Sequence, residues 1–204
     1  MNTTDALRRL QDGNGRFLAE TQNRHVSQTQ REALTTGQAP FAVILSCADS
    51  RVPPEIIFDQ GLGDLFVIRV AGNVITPEVV GSVEFAIHVL GSRLVVVQGH
   101  TDCGAIKTTL AEMATPTPTL SPNLQSLVDR IRPSITPLLE KIDLSDPQTL
   151  MPQAIQANVH QSVTQLKQNS DIVQNLIQTD DLQIIGAEYS LATGQVTFYD
   201  SDHI

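Results

Sequence analysis

Three short runs of consecutive apolar residues stand out in the first half of the chain: Phe41–Ser46, Leu65–Ile68 and Leu94–Val97. A half-exposed strand would alternate apolar with polar residues. Runs apolar on both faces instead suit strands of a parallel sheet covered by helices on either side. Helix patterns lie between them, over Pro53–Phe58 and over Pro77–Leu90, the second with Thr76 as N-cap and Pro77 in its first turn. Strand, helix, strand, helix, strand predicts an α/β fold. Ahead of the first run, Ala6, Leu7, Leu10, Phe17 and Leu18 mark an amphipathic helix from Thr4 to Glu20, which Gly13 and Gly15 are expected to break near its middle. Ser27 and Gln30 form a capping-box pattern for a short second helix ending around Gly37.

After the third run, Gly104–Met113 reads as a helix and Ala114–Asn123 as a proline-punctuated connector. From Asn123 to Thr179 the pattern is helical, with breaks expected at Pro133, Pro137, Pro147 and Pro152. Leu182–Tyr189 and Gln195–Tyr199, joined through Thr193 and Gly194, predict a closing strand and hairpin. There is no internal repeat. Residues 1–204 therefore read as a single domain, with 1–37 as an N-terminal helical arm and 38–204 as an α/β core.

Composition narrows the partners. A net charge of -9 leaves no basic surface excess to neutralise the phosphates of nucleic acid or of an anionic membrane. No window approaches the roughly 20 apolar residues of a membrane span. The opening Met-Asn-Thr-Thr-Asp carries neither a basic segment nor an apolar run, so the chain reads as soluble and cytoplasmic.

The chemistry gathers around the two cysteines, Cys47 and Cys103. A disulfide between them is the plain alternative for such a pair. Both, however, fall just past the carboxyl end of a predicted buried strand, where open α/β sheets bind their ligands. His100 precedes Cys103 by three residues, so one tight turn can aim an imidazole and a thiolate at the same point. Two thiolates and one imidazole suit zinc and leave a fourth position for water. Asp49 and Arg51 sit two and four residues past Cys47. The guanidinium can hold the carboxylate ionised, either to accept a hydrogen bond from hydroxide on the metal or to ligate the metal itself as a conditional fourth ligand. His25, His88, His160 and His203 have no ligand-like spacing, and Asp102 and Lys107 read as solvated.

The segments Cys47-Ala-Asp-Ser-Arg-Val-Pro53 and Gly99-His-Thr-Asp-Cys-Gly104 resemble the two signature motifs of the β-class carbonic anhydrases. Further similarity lies in Leu10–Phe17, Gln38-Ala-Pro40, Phe66–Asn73 and Ile185–Val196, while residues between Met113 and Asp181 add nothing specific. The resemblance implies a parallel four-stranded central sheet extended by a C-terminal strand and flanked by helices. It also implies a homodimer or higher even-numbered homo-oligomer, with sites near the subunit interface and N-terminal helices that embrace the partner. The implied reaction is reversible hydration of carbon dioxide to bicarbonate and a proton, with one zinc ion per subunit generating hydroxide near neutral pH.

By the same similarity, Gln38 hydrogen-bonds substrate, Phe66 and Phe85 form an apolar wall, and Gly104 lets its N–H approach bicarbonate. Many family members carry, three residues before the first cysteine, a tryptophan of a non-catalytic bicarbonate site that switches the enzyme off. Here that residue is Ile44, although Arg69 matches an arginine of that site, so an open zinc site is expected at neutral pH. The motifs also admit hydrolysis of carbon disulfide or carbonyl sulfide. They admit a catalytically silent bicarbonate-binding or scaffold module as well, against which the intact Asp49 and Arg51 argue.

Overall fold

A computed structural model describes residues 1–23, 26–117, 119–139, 147–179 and 182–199; His25 and His203 lie outside them. Its centre is a five-stranded sheet of β1 (Ala42–Ser46), β2 (Leu65–Arg69), β3 (Leu94–His100), β4 (Gln183–Tyr189) and β5 (Val196–Phe198), in the order β2-β1-β3-β4-β5. The first four strands are parallel, and β5 joins β4 antiparallel at the edge. This is the expected four-stranded parallel sheet with its C-terminal extension. The reason is visible in the burial. Every residue of β1 and β3 is buried, with Val43, Leu45, Val95 and Val97 on one face and Ala42, Ile44, Leu94 and Val96 on the other. Ile44 lies in the middle of this core. Strand β2 is an edge strand and is only partly covered.

The helices are α1 (Thr3–Leu18), α2 (Gln28–Ala33), α3 (Pro54–Ile57), α4 (Pro77–Glu84), α5 (Gly104–Ala114), α6 (Pro122–Leu139), α7 (Pro147–Gln168) and α8 (Asp171–Gln178). Thr76 caps α4 as expected, and a π turn over Phe85–Val89 continues it. The capping box of Ser27 and Gln30 is formed at α2.

Two expectations need correction. Helix α1 is not broken at Gly13 or Gly15. A Cβ on Gly13 would lie 1.8 Å from the carbonyl oxygen of Phe58, so this glycine serves close approach of helix to backbone rather than a turn. The next residue, Asn14, donates to the carbonyls of Ile57 and Gly194 and accepts from the N–H of Val196, pinning α1 to its own domain. Helix α2, by contrast, buries nothing.

The second correction concerns proline. Pro133 and Pro137 lie inside α6 and Pro152 inside α7, while Pro147 opens α7. Pro133, Pro137 and Pro152 are all exposed. The carbonyl left unpaired by Pro133 is that of exposed Asp129, and the one left by Pro137 is that of Pro133, where water can replace the lost bond. The buried stripe of Val128, Ile131 and Ile135 holds α6 together regardless, because tertiary packing supplies most of a helix's stability.

Gly13→Ala gives a direct check on the docking of α1. Helix propensity favours alanine by about 1 kcal/mol, but the overlap is with a backbone oxygen and costs about 3 kcal/mol or more. The net loss of about 2 kcal/mol is expected to lower Tm by roughly 4–8 °C. Thermal unfolding followed by circular dichroism reads it, and a raised Tm would disprove the close approach.

Candidate metal centre

The parallel register brings the carboxyl ends of β1 and β3 side by side, with Ser46 opposite Gln98. Cys47 leaves β1 at this edge, and β3 ends at His100. The chain then turns through Thr101 and Asp102, the latter in a left-handed conformation with φ 54°, and Cys103 is the N-cap of α5. The two sulfurs and one imidazole nitrogen all lie within 4.8 Å of one another, and all three residues are buried. Both cysteines are free thiols, which removes the disulfide.

His100 Nδ1 lies 2.8 Å from the carbonyl oxygen of Thr101. A carbonyl only accepts, so Nδ1 carries the proton and Nε2 presents its lone pair. That Nε2 is buried with no hydrogen-bond partner. A buried acceptor left in this state is costly unless something occupies it, and a metal ion beside two sulfurs would do so. The donor set of two sulfurs and one nitrogen fits zinc with a fourth position open.

Of the three side chains, only Cys47 is biased toward its deprotonated form without a metal. The Cys47 thiol is held well below an ordinary cysteine, chiefly by hydrogen bonding from Cys103; burial opposes this, while His100 and the backbone N–H groups of Gly72 and Asp49 reinforce it. Cys103 is pushed up by the same contact and by burial, so it holds the proton that a metal would displace. Burial pulls the His100 imidazole down, but the neighbouring Cys47 sulfur, the Thr101 carbonyl and the Asp49 carboxylate together raise it by more.

Asp49 stands beside this cluster with both oxygens engaged by one arginine. Arg51 Nε donates to Oδ1 at 3.0 Å and Nη2 to Oδ2 at 2.8 Å, while its backbone N–H donates to Oδ1 at 2.9 Å. This fork holds the carboxyl well below the usual carboxylate range. Arg69 braces the same turn from β2, donating to the carbonyls of Cys47 at 3.1 Å and Asp49 at 2.6 Å.

The family profile described as carbonic anhydrase matches residues 42–196. The chain belongs to the β-carbonic anhydrase family. It is 42% identical over 200 residues to a carbonic anhydrase of Mycolicibacterium smegmatis, covering 96% of this chain and 92% of that one. Carbonic anhydrase 2 of Mycobacterium tuberculosis is 40% identical and covers 100% of this chain and 95% of its own. Among solved structures, the β-carbonic anhydrase CcaA superposes with a TM-score of 0.75 at 25% identity, covering 96% of this chain and 88% of that chain. A tetrameric β-carbonic anhydrase of Sordaria macrospora shares the fold with a TM-score of 0.73 at 23% identity, over 82% of this chain and 84% of that one.

Within this family member, the remaining sequence-derived candidates do not all converge. Phe66 and Phe85 meet, their ring centroids 6.1 Å apart. Yet Phe66 pairs with Val43, four residues or about 13 Å back along β1 from Cys47. Gln38 is exposed on the connector ahead of β1, at the other end of the strand from Cys47. Gly104 opens α5 beside Cys103, and a Cβ there would meet nothing within 4 Å. Asp102 and Lys107 are exposed, as expected of solvated groups. Among the described residues, neither His88 nor His160 joins a metal-ligating cluster.

Sequence reasoning passed over three residues that build the centre's surroundings. Gly72, in the turn Ala71–Asn73 after β2, donates its N–H to Cys47 Sγ at 3.3 Å. Asn158 and Ser162 of α7 hold that turn, donating to the carbonyls of Gly72 at 2.8 Å and Asn73 at 3.1 Å. Arg69, which matches an arginine of the family's effector site, grips the Cys47–Asp49 backbone. The available signal for Asn158 and Ser162 was their place on the apolar stripe of Ile155, Val159, Val163 and Leu166, where a polar residue has to be paired.

Proposed function

We propose that the chain is a zinc-dependent carbonate dehydratase, a lyase that hydrates carbon dioxide reversibly to bicarbonate and a proton. The observation that carries this reading is the buried, unpartnered His100 Nε2 facing two free thiols, beside an Asp49 carboxylate locked by Arg51. Cys47, His100 and Cys103 hold one zinc ion per subunit, which supplies the Lewis acidity that activates water near neutral pH. Asp49, kept ionised by Arg51, accepts a hydrogen bond from the attacking oxygen and so directs its lone pair at carbon dioxide. The unobstructed N–H of Gly104 stabilises the bicarbonate formed, and the released proton passes to buffer.

With both oxygens on Arg51, Asp49 serves as an acceptor and not as the fourth ligand, so the site is open at neutral pH. Ile44, buried in the sheet, offers no effector pocket in place of the switch tryptophan. The distance of Phe66 and Gln38 from Cys47 supports a homodimer or higher even-numbered assembly, in which Gln38, Phe66 and Phe85 serve a partner's centre. Phe85 is 46% exposed and lies next to the edge strand β2, whose outer backbone groups have no neighbour in the sheet. Among the described residues no helix is long and apolar enough to cross a membrane, and we place the chain in the cytoplasm.

Zinc stoichiometry combined with stopped-flow carbon dioxide hydration across pH tests the reading. One zinc per subunit with hydration that rises toward alkaline pH supports it. Full zinc occupancy without hydration would exclude it in favour of a silent module, and sulfide release from carbonyl sulfide in place of hydration would redirect it.

A further inference from the structure

The turn Ala71–Asn73 lies between three helices and the metal centre. On one side, a Cβ on Gly72 would lie 2.8 Å from Ile131 Cδ1 of α6 and 3.1 Å from Ala105 Cβ of α5, so only glycine fits. On the other side, α7 presents two buried donors one helical turn apart: Asn158, 3% exposed, to the Gly72 carbonyl and Ser162, 2% exposed, to the Asn73 carbonyl. Gly72 and Asn73 both take left-handed conformations, with φ 69° and 44°. Two successive residues in that region hold their geometry only where the surroundings over-determine it. The outcome is one aimed group, the Gly72 N–H on Cys47 Sγ at 3.3 Å.

We infer that Asn158 is a positioning residue of the metal centre: by holding the Gly72 carbonyl, it fixes the Gly72 N–H on the Cys47 thiolate and thereby sets how much electron density that sulfur gives the bound metal. The inference rests on the zinc reading above. A hydrogen bond to a ligating sulfur withdraws charge from it, and groups that orient ligands in this way matter for metal affinity. Asn158 touches neither metal nor substrate. Its influence reaches the sulfur through a single residue, Gly72, whose carbonyl it holds and whose N–H makes the bond.

The test uses the full-length protein with zinc and with cobalt(II) in its place. Wild type must first bind either metal stoichiometrically; if it does not, the zinc reading fails and the role of Asn158 falls with it. Given that binding, Asn158→Leu, which keeps the branched side-chain shape and removes the donor, is expected to weaken zinc about 10–100-fold in chelator competition, because the loss of ligand orientation outweighs the gain in thiolate donation. It is also expected to shift the sulfur-to-cobalt charge-transfer band to longer wavelength, because the thiolate loses a hydrogen bond. Ser162→Ala removes the donor to the neighbouring Asn73 carbonyl, whose residue makes no bond to the sulfur, and is expected to lower stability while leaving the band in place. A folded Asn158→Leu variant with wild-type affinity and an unmoved band would overturn the assignment, as would an equal band shift in Ser162→Ala. Should Asn158→Leu fail to fold, cadmium-113 in the wild-type protein provides a reading that needs no variant. Scalar coupling between the metal and the Gly72 amide proton across the sulfur supports the hydrogen bond, and its absence rejects it.

Discussion

Cys47→Ser and His100→Ala are each expected to empty the centre of zinc and to reduce carbon dioxide hydration to the rate in buffer. The three proposed ligands come from separate places: Cys47 from the end of β1, His100 from the end of β3, and Cys103 from the start of α5. Losing one leaves only two protein donors. A serine hydroxyl in place of the thiolate is a poor zinc ligand, and alanine at 100 removes the nitrogen whose unpaired state marks the site. Because metal binding and the ordering of its ligands are coupled, zinc content is expected to fall below about a tenth of an equivalent per subunit. Metal analysis after dialysis, followed by stopped-flow hydration, measures both. Full zinc in either variant would remove that residue from the ligand set. The sheet should survive, since its core of Val43, Leu45, Val95 and Val97 lies away from the cluster.

Asp49→Ala separates holding the metal from using it. The carboxylate lies outside the sulfur and nitrogen cluster, so zinc is expected to stay at one per subunit while turnover falls about 10–100-fold. Arg51 keeps this carboxyl below its ordinary pKa, so it remains ionised throughout pH 5–9 and loss of the side chain lowers activity over that whole range. The linkage to stability has the same sign. The contribution of the fork is complete above about pH 4, the ordinary aspartate value, and is lost only as acid protonates Asp49 below it. Arg51 is exposed, which keeps that contribution small. An Asp49→Ala protein with wild-type turnover across that pH range would take Asp49 out of the reaction.

The legible parts of this protein are those encoded over short spans. Strands showed as runs apolar on both faces, and these became β1, β2 and β3 within two or three residues at each end. The pair His100 and Cys103 was legible because three residues make one tight turn, and Asp49 with Arg51 because two residues place a carboxylate within a guanidinium's reach. Gly13, Gly15, Pro133, Pro137 and Pro152 misled for the same reason. Taken locally they are breakers, whereas in the fold Gly13 admits the Phe58 carbonyl and the prolines of α6 face water.

The sequence by itself determined the α/β class, the sheet's strands, the His100–Cys103 turn and the Asp49–Arg51 pair, because each rests on residue type and spacing within a turn or a strand. Only the tertiary structure decided that β1 and β3 are neighbours, which brings Cys47 to His100 across 53 residues of chain. It alone set Phe66 and Gln38 apart from that centre, gave Arg69 to the Cys47–Asp49 backbone, and recruited Asn158 from α7 to the turn that bonds Cys47. Those outcomes depend on which distant surfaces are buried against each other, and a buried carbonyl or N–H takes whatever donor or acceptor the packing delivers.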